Sequence, residues 1–333
     1  MVVVSTRKSG VLSKASWIKF SSIVTFVVLS FMAVNVFIDD YSDPPLPLLQ
    51  EIKTEAIPTQ SHSVEWSTLS RQERRLAMSE VMPYLETFVA MLNKTEQDKW
   101  VSQNKCQVEL FGSEWGAHQL CQEETPPANC TFLSFGINKD YTFDTQLADR
   151  WNCRGFAADP TVVHKSQLHD LVTFHNIAAK TLTLNKEARD SKRPWWVASV
   201  PSVKRFLNIE RITVLKMDCE GCEFSIARDI LNEEPTFFQK VDQFTFEAHL
   251  NKNWLNDKES LYYFGMLFKL LHEAGLEVMG TSIGGCGPLD DKGYMKELAN
   301  IGYPNHWARR GIGRRSCHEY LFARNPVKHV AQK

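Results

Sequence analysis

The sequence predicts an α/β protein built on a doubly wound, mainly parallel sheet of seven strands. Three observations predict it. After Pro126-Pro127, short apolar runs alternate with helical spacing, as strand–crossover–strand units do. A single-glycine turn, Ser134-Phe135-Gly136-Ile137-Asn138, follows the first of these runs. A later run, residues 212–217, leads into Asp218-Cys219-Glu220-Gly221-Cys222-Glu223, from which a helical pattern departs. Ligands of open α/β sheets bind just past the carboxyl ends of parallel strands, so this acid-rich turn reads as the floor of a site. Taken alone it is equally a polar connection in which Glu223 is favoured by the helix dipole.

The chain has 333 residues, 43% of them hydrophobic and 23% charged, with a formal net charge of -1. That is ordinary globular composition. The balance excludes the basic excess of a nucleic-acid protein. Residues 20–38 carry no charge and are about long enough to span a bilayer. Arg7, Lys8, Lys14 and Lys19 precede them and Asp39, Asp40 and Asp43 follow. The positive-inside bias then predicts a cytosolic tail over 1–19, a signal-anchor over 20–38 and everything later across the membrane. A cleaved signal peptide has a shorter apolar core and a small-residue end, which Val36-Phe37-Ile38 is not. The expected topology is a single-pass type II protein of the Golgi or endoplasmic reticulum. All 8 cysteines follow residue 100, which suits disulfides in an oxidising lumen. The sequons at Asn93 and Asn129 agree with that side.

Residues 39–105 read as a proline-bearing stem and a helical region, and 106–329 as the catalytic domain. Helical spacing runs over 67–94, where Pro83 is a candidate break or kink. Residues 106–121 read as a hairpin turning at Gly112-Ser113. The seven expected strands are 131–135, 155–158, 172–175, 212–217, 243–247, 276–279 and 319–323. Helices are expected over 143–151, 203–207, 224–231 and 261–274. Cys130 and Cys153 stand at matching distances before Gly136 and Asp159, which would pair them on neighbouring parallel strands. Cys106 with Cys121 would close the hairpin, and Cys286 with Cys317 would join the last two strands.

The turn after the first strand lets a cofactor lie close to backbone at Gly136. Asp159, roughly 20 residues on and at the end of the second strand, is placed for ribose hydroxyls. Together these residues imply a nucleoside-containing cofactor.

Five features in order then resemble the S-adenosylmethionine-dependent methyltransferases of the FkbM-like branch and related membrane-anchored proteins. They are Ser134-Phe135-Gly136-Ile137-Asn138-Lys139-Asp140, Asp159-Pro160, Asn176-Ile177-Ala178, residues 215–223 and Glu247-Ala248-His249. The resemblance implies a Rossmann-like class I methyltransferase fold with an antiparallel last strand and S-adenosyl-L-methionine as cofactor. It implies that Ser134, Phe135, Gly136, Asn138 and Asp140 line the methionine and ribose side, that Asp159 and Pro160 meet the ribose, and that Asn176 and Ala178 flank the adenine. Ser134 replaces an acid of the family pattern, and Asp140 replaces a glycine. Either a subfamily variant accommodates both, or cofactor binding is lost and the fold serves as an interaction module.

Methyl transfer from a sulfonium needs alignment of acceptor and methyl group, and a hydroxyl acceptor gains from a base. Asp218 and Glu220 past the fourth strand, and Glu247 and His249 at the end of the fifth, are the expected catalytic group, with Asp218 ranked first as base. These acids permit a divalent metal, but no spacing requires one. Cys219 and Cys222 have redox-like spacing, which the family frame explains as filler. The long connection 280–318, with Trp307, Arg309, Arg310, Arg314 and Arg315, reads as an acceptor-recognition lid suited to anionic groups. The expected reaction is O-methylation of a small-molecule or glycan hydroxyl. The rival enzyme class is a type II glycosyltransferase using Asp218 and Glu220 as a metal-binding pair.

Overall fold

A computed structural model describes residues 65–91, 106–113, 116–122, 128–179, 195–249, 258–283 and 317–324. All lie in one unit, Ser61–Lys333. The predicted anchor at 20–38, Asn93, Cys286 and most of the predicted lid lie outside the described residues. Among the described residues no helix is long and apolar enough to cross a membrane.

The main sheet contains all seven predicted strands: β3 (Thr131–Phe135), β4 (Arg154–Ala158), β6 (Val172–His175), β9 (Ile212–Met217), β10 (Val241–His249), β11 (Leu276–Ile283) and β12 (Cys317–Arg324). A short eighth strand, β5 (Gln167–His169), pairs antiparallel with β6 at one edge. The order is β11-β12-β10-β9-β3-β4-β6-β5. Strands β10, β9, β3, β4 and β6 are mutually parallel, and the last strand, β12, inserts antiparallel between β10 and β11. This is the predicted doubly wound, Rossmann-like sheet. A hairpin of β1 (Val108–Phe111) and β2 (His118–Cys121) forms where predicted, and a small parallel pair joins β7 (Ile177–Ala179) to β8 (Trp196–Ala198).

Alternation along the strands builds two cores. Leu133 and Leu215 face a helical layer of α1 (Arg71–Met91), α3 (Val200–Phe206), α4 (Ile226–Glu233) and α5 (Lys258–Glu273). Phe132 and Val214 face the other side, under α2 (Thr142–Trp151) and the hairpin. Every residue of β9 is buried, because a central parallel strand is paired on both edges and covered on both faces. Pro83 does not end α1, which runs past it and packs Val81, Leu85 and Phe88 into the helix-side core. Each such apolar side chain contributes about 1.5–3 kcal/mol when fully buried.

Disulfides join Cys106 to Cys121 and Cys130 to Cys153, as predicted. A third, Cys219–Cys222, was not expected from the family frame and clasps the acid-rich turn. Cys317 is also disulfide-bonded, while its expected partner Cys286 lies outside the described residues.

The chain leaves β3 toward β4 and β6 on one side and returns through β9 and β10 on the other. The strand order therefore reverses between β3 and β9. The two glycine- and acid-bearing turns stand side by side at that switch point, where such sheets open a crevice.

Candidate active site

Gly136 lies where β3 and β9 end together. Its φ is +77°, and a Cβ there would stand within bonding range of the Asp218 carbonyl oxygen, so no other residue is accommodated. The Asp218 N–H donates to the Phe135 carbonyl at 3.0 Å, which locks the two turns to each other. Phe135 takes part in this turn through its backbone, since its ring is buried against Phe156.

The first turn is held by its own polar groups. Asn138 is left-handed, with φ 49°, and donates its N–H to Asp159 Oδ2 at 2.8 Å. The other Asp159 oxygen accepts from the Thr161 N–H and hydroxyl at 2.7 and 2.6 Å. Asn176 donates to the carbonyls of Asp159 and Val162, so it fastens the same turn, with Pro160 inside it. Ala178 is buried one strand away in β7, paired with Val197 of β8.

Of the two departures from the family pattern, Asp140 has a local explanation. Asp140 accepts from the Gly116 N–H at 3.2 Å and from the Thr142 N–H and hydroxyl at 3.0 and 2.6 Å. It ties the hairpin to the start of α2, a task glycine cannot perform. Ser134 is buried in β3 and its Oγ faces the buried carboxyl of Asp144 in α2; among the described residues neither side chain has a further hydrogen-bond partner. Burial pushes the Asp144 carboxyl up to about 6, against the pull of Lys216 and Ser134. Lys216, itself buried in β9, donates to the Gly136 carbonyl at 3.0 Å.

The predicted catalytic residues do meet. His249, the last residue of β10, is the hub. Its Nε2 lies 3.2 Å from Glu247 Oε2, 3.5 Å from Glu220 Oε1 and 3.6 Å from Asp218 Oδ1. Behind the ring, the fully buried Glu223 sits 3.1 Å from Nδ1 and accepts the His249 N–H at 2.8 Å. Its second oxygen accepts the Gly221 N–H at 2.9 Å. Burial opposes an imidazolium here, but Glu223, Glu247 and Glu220 outweigh it and hold the His249 pKa well above its ordinary value. Burial also works against the Asp218 carboxylate, and His118, Lys216 and His249 overcome it, so its pKa falls. Glu247 is pushed up, chiefly by burial, and Glu220, at the open rim of the cluster, is pushed up by partial desolvation together with the carboxylates of Glu223, Asp218 and Glu247.

Three groups were not singled out by the sequence. His118 projects from β2 with Nε2 3.8 Å from Asp218 Oδ2, and Glu319 of β12 stands near enough to feel both. Asp144 is the third. A lone histidine in a hairpin, an acid in a first helical turn and an acid in an edge-side strand carry no motif. Their convergence depends on β2 packing over β10, where Gln243 exchanges hydrogen bonds with the Cys121 backbone.

No protein-family profile and no curated protein matches the sequence. Solved structures similar to the chain include a geranyl diphosphate C-methyltransferase from Streptomyces coelicolor, at 8% identity and TM-score 0.29, over 60% of this chain and 74% of that one. A plantazolicin methyltransferase, solved with S-adenosylhomocysteine, is 10% identical at TM-score 0.29, over 78% of this chain and 92% of that one. A cyclopropane synthase from Mycobacterium tuberculosis is 9% identical at TM-score 0.26, over 60% and 80%. Likenesses of that size assign nothing to this chain, whose fold is defined by its own strand order.

Proposed function

We propose that this chain is an S-adenosylmethionine-dependent methyltransferase acting on a hydroxyl of a small-molecule or glycan acceptor in the secretory lumen. The observation that carries the reading is the convergence of Asp218, Glu220, Glu247 and His249 at the ends of β9 and β10, beside the Gly136 turn at the switch point. The polar groups suit the cofactor. Ser134 Oγ and the Asp144 carboxyl are buried against each other with no further hydrogen-bond partner among the described residues, and would suit a charged amino-acid end. Asp159 Oδ2 keeps one acceptor site beyond those its turn uses. When bound, the cofactor supplies a methyl group on a sulfonium for in-line displacement.

The rest is work for the chain's own residues. Glu220, with its side chain 61% exposed, faces outward and takes the acceptor proton. Its raised pKa makes it a stronger base than Asp218, which stays ionised and orients the acceptor. Glu223 fixes the His249 ring through Nδ1. The disulfides among the described residues and the exposed Asn129 sequon support a lumenal placement behind the 20–38 anchor. The test is transfer of a labelled methyl group from S-adenosylmethionine to a panel of hydroxylated small molecules and glycans. Transfer by the wild-type chain that Glu220→Gln reduces supports the reading, and no transfer to any hydroxyl by a folded, cofactor-bound chain contradicts its acceptor class.

A further inference from the structure

Glu220 stands where little local chemistry would keep it. Its φ is +54°, a left-handed backbone that costs a side-chain-bearing residue free energy. Gly221 follows at φ +117°. The Glu220 side chain is 61% exposed and, among the described residues, pairs only with His249, at 3.5 Å. Glu223, Asp218 and Glu247 all repel its charge. Backbone, solvent and like charges each favour another position for this carboxylate.

The Cys219–Cys222 disulfide closes a ring around just Glu220 and Gly221. Both ends of the ring are fixed. Asp218, beside Cys219, donates its N–H to the Phe135 carbonyl at 3.0 Å. The Cys222 carbonyl accepts from the Ser225 N–H and hydroxyl at 3.0 and 2.9 Å. The Cys106–Cys121 and Cys130–Cys153 bridges tie neighbouring strands at sequence separations of 15 and 23, whereas this one spans 3. Stabilisation by a cross-link grows with the loop it closes, so this bridge acts on the turn more than on the fold. Cys222 is buried and Cys219 is half-buried, which leaves the Cys219 sulfur the one open to attack.

We propose that the Cys219–Cys222 disulfide is the positioning element for Glu220, and that a dithiol which opens it disables the site reversibly. The reductant's thiolate attacks the Cys219 sulfur, the S–S bond breaks and Cys222 leaves as a thiolate. The second thiol of the reductant then displaces Cys219 from the mixed disulfide. Two electrons and two protons end on the chain, and the reductant becomes a disulfide. With the ring open, Glu220 relaxes from its left-handed backbone and withdraws from His249. The loss of methyl transfer rests on the methyltransferase reading; the movement of Glu220 does not.

The test uses the full-length, oxidised chain with isotope-labelled histidine, the His249 ring resonances being assigned with His249→Gln. Under dithiothreitol the expected result is alkylation of Cys219 and Cys222, with Cys130 and Cys153 still bridged and circular dichroism unchanged. The His249 resonances should shift, and return on reoxidation. Cys219→Ser with Cys222→Ser should give the same shift without reductant, which separates this bridge from the others. In the transfer assay that double variant should lose about 100-fold in kcat with the KM for S-adenosylmethionine unchanged, and adding Glu220→Gln should cost little more. A bridge that only stabilised the fold would give additive losses. His249 resonances that are the same with the bridge open and closed, or wild-type kcat in the double variant, overturn the proposal. A wild type that transfers no methyl group counts against the reading alone, and the histidine resonances still decide for or against the clasp.

Discussion

At the residue scale, Asp144 is the most informative side chain outside the cluster. Its folded pKa of about 6 lies above the ordinary 3.8. The folded state therefore binds the proton more tightly, and the stability it confers is present below pH 4 and lost as pH rises toward 6. The full cost at neutral pH is about 3 kcal/mol. Asp144→Asn should raise stability at pH 7 by up to about 3 kcal/mol and flatten the pH dependence between 4 and 6 in urea titrations. In the proposed reading it also weakens cofactor binding, the exchange expected of a destabilised functional residue. For Glu220→Gln, kcat should fall about 100-fold or more with cofactor affinity unchanged, as measured by single-turnover kinetics. Glu223 was legible only as a first-turn acid. Its part in holding His249 depends on a contact between β10 and the turn after β9 that sequence spacing does not encode.

At the scale of elements, the turn pair at the switch point decides whether a site exists. Gly136→Ala would place a methyl against the Asp218 carbonyl in a left-handed backbone. It should lower stability by about 3 kcal/mol or more and abolish cofactor binding, read by thermal unfolding and calorimetry. The β3 turn, the β9 turn and the strands behind them were legible because apolar runs ending in glycine and acids are local signals. The partial exceptions are equally physical. Asp140 looked like a defect in a glycine motif, yet it secures the hairpin to α2. The hairpin was legible as a hairpin, but its docking over β10, which delivers His118, rests on the Gln243 side chain meeting the Cys121 backbone. The Cys219–Cys222 disulfide was hidden because the same positions read as filler in the acid frame.

At the scale of the whole molecule, the described disulfides and the proposed lumenal placement belong together. The Cys130–Cys153 bridge closes a loop with sequence separation 23 between the starts of β3 and β4. Cys130→Ala with Cys153→Ala should cost about 3 kcal/mol, measured by denaturant unfolding of the oxidised chain. Asn129 is exposed in a left-handed turn, with φ 60°, and should carry N-linked glycan in cells. An endoglycosidase shift that Asn129→Gln diminishes would support the topology expected from residues 20–38, and absence of glycan at both sequons would count against it.

The central claim is that the crevice at the β3–β9 switch point binds S-adenosylmethionine. The most direct measurement is a calorimetric titration of S-adenosylhomocysteine into the full-length, oxidised chain, with Asp159→Asn as the control. One-site binding that the control weakens at least about tenfold, with its fold retained by circular dichroism, is the expected result. No heat of binding in a folded wild-type chain, or equal binding in both proteins, would contradict the account.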